Sequence, residues 1–141
     1  MDKIQALKKL KDLEDETAKL RKIIEQPDDL FTGINGYSDI YKKLNEKDVD
    51  KEYAHFNDKV KSFMKLKQIE RYFNGDWIPK FNGSQYNHYP YFTKGSSGLL
   101  NFYNSNYNNS NCFGQVAYFK DEKTSTFVGK TFIQIYRDLY N

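Results

Sequence analysis

Along the first 26 residues the positions Ala6, Leu10, Leu13, Thr17, Leu20 and Ile24 recur at alternating spacings of four and three, with charged side chains filling most of the rest. That seam predicts one amphipathic helix over residues 2–26, stopped by Pro27, which removes an amide and disfavours helix in the residue before it. After a break around Gly33 and Gly36, Tyr37-Ser38-Asp39 opens a short helical segment with Ile40, Tyr41 and Leu44 on one side. A longer helix is predicted from about Val49 to Phe73, its face formed by Val49, Tyr53, Phe56, Val60, Phe63, Leu66, Ile69 and Phe73. Asn74-Gly75 ends it, because glycine just past the last apolar position readily supplies a left-handed cap.

Past Gly75 the period changes. Short runs bounded by Gly, Asn and Pro predict strands at Trp77-Ile78, Tyr89 to Thr93, Leu99 to Tyr103 and Cys112 to Lys120. Pro79 and Pro90 cannot donate to a ladder, which leaves the last two as the firmer strands of an antiparallel sheet. Asn82-Gly83, Gly95-Ser-Ser-Gly98 and Asn104 to Asn111 are the turns. Alternation puts Cys112, Gly114, Val116 and Tyr118 on one face of the last strand, and makes Cys112 a core-edge residue. From Asp121 or Thr124 to Tyr140 helical spacing returns through Val128, Phe132, Ile135, Tyr136 and Leu139. Gly129 inside this helix implies close approach to a neighbouring backbone, and the helix is expected to pack across the sheet near Trp77. The fold class is α+β: an N-terminal helical arm (1–27), a connector and long helix (28–73), then a small antiparallel aromatic-rich sheet covered by a C-terminal helix (74–141).

Composition sharpens this picture. The 141 residues suit one small domain plus an arm, and aromatic residues at 17% imply a ring-rich core. Phe73 to Phe92 alone carries the single Trp, two of three prolines and seven aromatic side chains. Residues 1–76 balance 16 basic against 16 acidic side chains, whereas residues 77–141 carry 6 and 3. That surplus is far below the clustered basic face of a dedicated DNA binder, and permits weak nucleic acid contact only. With one cysteine and two histidines, no internal disulfide and no four-ligand Cys/His zinc site can form within one chain. No membrane-length apolar run occurs, and a cytoplasmic protein is expected.

Catalytic constellations are missing from the pattern. Ser96, Ser97 and His88 lack a Gly-x-Ser-x-Gly elbow, His55 reads as a solvated helix residue, and Asp121-Glu122 reads as a helix start. Gly33 to Gly36 and Gly95 to Gly98 lack the Lys-Ser/Thr ending of a phosphate loop. No cofactor or metal is expected.

The segments Asn74-Gly75-Asp76-Trp77-Ile78-Pro79, Tyr89-Pro90-Tyr91-Phe92, Gly98 to Tyr103, Phe119-Lys120, Val128-Gly129-Lys130-Thr131-Phe132 and Tyr136-Arg137-Asp138-Leu139 occur in an order that resembles a family of small proteins encoded by phages and mobile elements of Bacteroidetes. The resemblance covers about residues 56–141; Leu20 to Pro27 also looks like a leader carried by other short proteins of such phages. The chain departs from the family's pattern at Val116-Ala117-Tyr118 and Thr124-Ser125-Thr126. The resemblance implies a non-enzymatic accessory protein acting in the cytoplasm of an infected bacterium. The expected action is to inhibit a host defence protein of the anti-CRISPR type, an RNA-guided Cas nuclease with its guide RNA, by direct contact. Tyr86, Tyr91, Tyr103 and Tyr107, with Lys80 and Lys94, are the contact candidates, since tyrosine offers large amphipathic area at little rotamer cost. Against this, the scarcity of other apolar residues in this half places about two in three of those tyrosines in half-buried positions. Two other functions stand beside it: single-stranded nucleic acid binding by stacking, and a virion or assembly component. The arm seam of Leu10, Leu13, Leu20 and Ile24 either forms a homodimer or partner coiled coil, or folds back on its own domain.

Overall fold

The computed structural model describes residues 2–25, 29–111 and 113–141, with only the backbone given for residues 22–25. Pro27 and Cys112, and the side chain of Ile24 in the arm seam, lie outside the described residues. The chain forms two compact units, one through Thr32 and one from Gly33 to Asn141.

The first unit is helix α1, Lys3–Glu25. Asp2 and Gln5 cap it reciprocally: the Gln5 N–H donates to Asp2 Oδ1 at 2.8 Å, and the Asp2 N–H donates to Gln5 Oε1 at 3.3 Å. Leu10, Leu13 and Leu20 of the seam are 53%, 58% and 53% exposed.

The second unit is mixed α+β. It runs α2 Tyr37–Leu44, α3 Val49–Glu52, α4 Asp58–Asn74, β1 Asn87–Lys94, β2 Leu100–Asn108, α5 Glu122–Thr131 and α6 Ile133–Tyr140. β1 and β2 form a two-stranded antiparallel ribbon, α5 and α6 pack on the ribbon, and α4 packs on α6. Leu66, Ile69, Phe73, Phe119, Val128, Phe132 and Tyr136 form the core between these layers, all of them 3% exposed or less.

The predicted helix from Val49 to Phe73 is broken. Tyr53 to Phe56 is a turn, and Asn57 starts a new helix by accepting from the Val60 N–H at 2.9 Å. Restarting there rotates the buried stripe to Ser62, Leu66, Ile69 and Phe73, and leaves Phe56, Val60 and Phe63 exposed. His55 is exposed, edge-on to Phe56 at 4.5 Å. Gly75 ends α4, as the sequence indicates, but with φ +55° and ψ −121° it is not in the left-handed helical conformation expected of the cap.

The Cys112 to Lys120 run makes no described strand. Its backbone groups go instead to side chains of α4. Lys67 Nζ donates to the Val116 carbonyl at 2.6 Å, the Tyr118 N–H donates to Glu70 Oε2 at 2.8 Å, and Asn74 Nδ2 donates to the Tyr118 carbonyl at 2.8 Å. Held this way, Ala117, Tyr118 and Phe119 are buried consecutively, which an alternating strand cannot do. Among the described residues of the run, only Phe119 bridges β1, opposite His88. Trp77-Ile78 is likewise not strand, whereas Asn104 to Asn108, expected as turn, belongs to β2.

Asp121 caps α5 by accepting from the Thr124 N–H at 2.7 Å. The C-terminal helix is interrupted at Phe132, and its two parts cover the ribbon. A Cβ on Gly129 would lie 2.6 Å from the Phe102 ring and 2.8 Å from Pro90 Cβ, so the glycine permits close packing against side chains of the ribbon and not against a neighbouring backbone as expected.

Candidate contact surface

The ribbon that carries the candidate tyrosines is rich in β-favouring rings on β1 and is closed by a turn at Gly95 to Gly98. There the Gly98 N–H donates to the Gly95 carbonyl at 2.9 Å and the Leu99 N–H to Ser97 Oγ at 3.4 Å. Ser96 and Ser97 are thus part of a hairpin turn. The register pairs His88 with Tyr107, Pro90 with Ser105, Tyr91 with Asn104, and Phe92 with Phe102. Residues opposite each other share a face, and successive residues alternate.

Pro90 and Phe102 meet Gly129 of α5, and the Phe92 ring lies 4.5 Å from that of Tyr136, so their face is the covered one. Tyr91 and its partner Asn104 therefore lie on the opposite face, with Asn106; at its other end that face is covered, Tyr89 being half-buried with its ring 5.8 Å from that of Tyr118 and Asn87 being buried. A register shift between Tyr91 and Phe92 leaves Tyr103 as an extra residue in β2, and its ring meets Tyr91 edge-on at 6.2 Å. Tyr107, opposite His88, belongs by alternation to the covered face at the far end of the ladder. There it meets Tyr86 edge-to-face at 5.1 Å and the His88 ring at 6.1 Å.

The structure thus gathers the four tyrosines into two pairs, Tyr91 with Tyr103 and Tyr86 with Tyr107, and the strand alternation sets the pairs on opposite faces. All four are solvent-exposed: Tyr86 at 53%, Tyr91 at 46%, Tyr103 at 63% and Tyr107 at 57%. The half-buried positions expected for most of them are taken instead by Tyr72, Tyr89, Tyr118 and Tyr136, the last two fully buried. Lys80 and Lys94 are both exposed, Lys80 in the approach to β1 and Lys94 at its end, opposite Leu100.

Asn101, Asn104 and Asn106 belong to the same surface and were missed by the sequence reading, which made Asn104 to Asn111 a turn. A signal was present: asparagine recurs at 104, 106 and 108 with Ser105 and Tyr107 between, the period of a strand. The outer face is therefore built of phenol rings, amides and one hydroxyl, Thr93, with no acidic group on either strand. Such a surface can stack and can donate or accept hydrogen bonds, but supplies no acid–base pair.

The strongest electrostatic perturbations lie elsewhere. Burial raises the Tyr136 phenol well above its usual range, and its Oη has no hydrogen-bond partner among the described residues. Burial likewise pushes Tyr37 up to about 12, where its Oη accepts from the Val49 N–H at 3.0 Å and donates to Gln68 Oε1. Both belong to packing. Among the described residues no group of three or more His, Cys, Asp and Glu side chains could hold a metal ion, and no helix is long and apolar enough to cross a membrane. Compared with protein-family models, curated proteins and solved structures, the chain matches none.

Proposed function

We propose that this protein is a non-enzymatic binding module that inhibits a host defence effector, of the RNA-guided nuclease class, by direct protein contact in the bacterial cytoplasm. The observation that supports contact is the exposure of Tyr86, Tyr91, Tyr103 and Tyr107 on a ribbon braced by α5 and α6. Exposed aromatic side chains on a rigid frame lose little conformational entropy on binding, and tyrosine is enriched at the centres of interfaces. The choice of partner rests on the resemblance to phage and mobile-element proteins.

The test is capture of a purified RNA-guided nuclease, with and without its guide, by the tagged full chain after nuclease treatment and at two salt concentrations. Retention through both treatments, lost in Tyr91→Ala and Tyr103→Ala with the melting temperature within about 2 °C of the parent, supports the reading. Retention of nucleic acid alone, released by salt, replaces it with base stacking on the same rings.

A further inference from the structure

The two edges of the ribbon are not equivalent. On β1 both main-chain groups of His88 turn away from β2: its N–H donates to the Phe119 carbonyl at 2.9 Å, and the Phe119 N–H donates to the His88 carbonyl at 2.7 Å. In an antiparallel ladder outward-turned residues alternate, so Pro90, Phe92 and Lys94 also direct their main-chain groups away from β2. The Gly95 N–H donating to the Leu99 carbonyl at 3.3 Å fixes the same phase from the turn end.

The segment that bridges at Phe119 does not continue along this edge. Pro90 has no N–H to offer it. Residues 114–118 are drawn off instead: the Gly114 and Gln115 N–H groups donate to Tyr118 Oη at 3.0 and 3.1 Å, and Val116 and Tyr118 are bonded to Lys67 and Glu70 of α4. Where a third strand would have run, there is a groove of about 340 Å³ lined by Tyr91, Phe92, Lys94, Gln115 and Tyr140 among others. Phe92 and Lys94 line it, and the main-chain groups that they turn away from β2 meet no other described backbone group.

We infer that this groove takes a short extended peptide segment of the partner, which adds as a strand to β1 beside Phe92 and Lys94. Open main-chain groups on a strand edge call for another strand, because only an extended backbone matches their spacing. The chemistry of the segment follows from the lining. Lys94 is the single charged side chain in it, so an acidic residue is favoured beside it, while Tyr91 and Tyr140 wall a place for an apolar side chain. The inference rests on the contact reading above and names the form in which the partner is held.

The probe is an acetylated, amidated Thr-Val-Thr-Val-Glu peptide titrated into ¹⁵N-labelled full chain. Shifts of the Phe92 and Lys94 amides that saturate, are absent with a central Thr-to-Pro analogue, and need about three- to fivefold more peptide when Glu is replaced by Lys are the expected result. Lys94→Glu should reverse the charge preference. No shift at millimolar peptide, or equal shifts with the proline analogue, overturns the inference. The titration needs no nuclease, so a silent titration with successful capture removes the groove alone, and the converse removes the proposed partner alone.

Discussion

Replacing Gly129 by alanine sets two opposing effects against each other, and the structure decides which wins. Alanine is the better helix former by about 1 kcal/mol, so in an open helix the change stabilises. Here the new methyl would stand 2.6 and 2.7 Å from Phe102 Cδ2 and Cε2 and 2.8 Å from Pro90 Cβ. None of these is a flexible chain end. Pro90 is fixed in β1, while the Phe102 ring lies edge-on to Phe92 at 6.2 Å and beneath Lys130 Nζ at 5.7 Å. Relief requires α5 to back away from the ribbon by roughly 1 Å, loosening Val128 and Phe132, which are 0% and 2% exposed. Overpacking of this kind costs about 1–3 kcal/mol, which leaves a net loss of about 0–2 kcal/mol after the propensity gain. For a unit of this size that is a melting temperature lower by up to about 8 °C. Urea unfolding followed by the fluorescence of Trp77, the single tryptophan, measures it directly. Gly95→Ala, whose methyl would meet only the Asn101 amide nitrogen at 4.0 Å and which has no positive φ, serves as the control and should change stability by less than about 0.5 kcal/mol. A Gly129→Ala protein more stable than the parent would refute the close-approach argument.

Three further outcomes are expected. Glu70→Gln keeps the side chain's size but weakens a charge-assisted bond to the Tyr118 N–H, and should cost about 1–2 kcal/mol in the same urea assay; unchanged stability would mean that the Glu70 charge does not help to hold the 116–118 segment. Tyr37→Phe should cost about 1–2 kcal/mol at neutral pH through the lost bonds to Gln68 and Val49. The folded Tyr37 phenol is raised from 10.0 to about 12, so the unfolded chain ionises first. Its contribution is therefore complete below pH 10 and is lost as pH rises through 12, and the variant should lose stability less steeply across that window. For α1, sedimentation equilibrium of the full chain should show mass rising toward a dimer at tens of micromolar, abolished by Leu10→Lys with Leu13→Lys; a concentration-independent monomer would exclude self-pairing of the exposed leucine seam.

What could be read from the sequence is what local chemistry decides. The start of α2 at Tyr37, the stop at Gly75, the Asp121 cap and the close packing at Gly129 each depend on one or two residues whose backbone preference or size leaves little choice. Where tertiary partners decide, the pattern misled. Phe56, Val60 and Phe63 continue an apolar period across Asn57, but the Asn57 side chain starts a helix there and the period is cut. Cys112 to Lys120 alternates like a strand, but three polar side chains of α4, at positions 67, 70 and 74, take up its backbone groups. Asn104 to Asn108 has turn composition, and pairing with β1 overrides it. Which tyrosines are exposed was not legible, since residue type does not separate Tyr91 and Tyr103 from the buried Tyr118 and Tyr136, and their division between two faces follows from the pairing register.

The free side of β2 bears on how the protein survives at high concentration. Leu100 to Asn108 contains no charge and no proline, and its repeated asparagine and tyrosine side chains suit the stacked interfaces of cross-β fibrils. The chain guards that side with its own side chains. Arg137 Nε donates to the Leu100 carbonyl at 2.8 Å, and Asn106 Oδ1 accepts from the Tyr107 N–H at 2.9 Å. The bulge at Tyr103 twists the stretch between them out of line. Arg137 thus puts a charged side chain on the Leu100 end of that side, the kind of feature that disfavours pairing of an uncharged edge with a further strand.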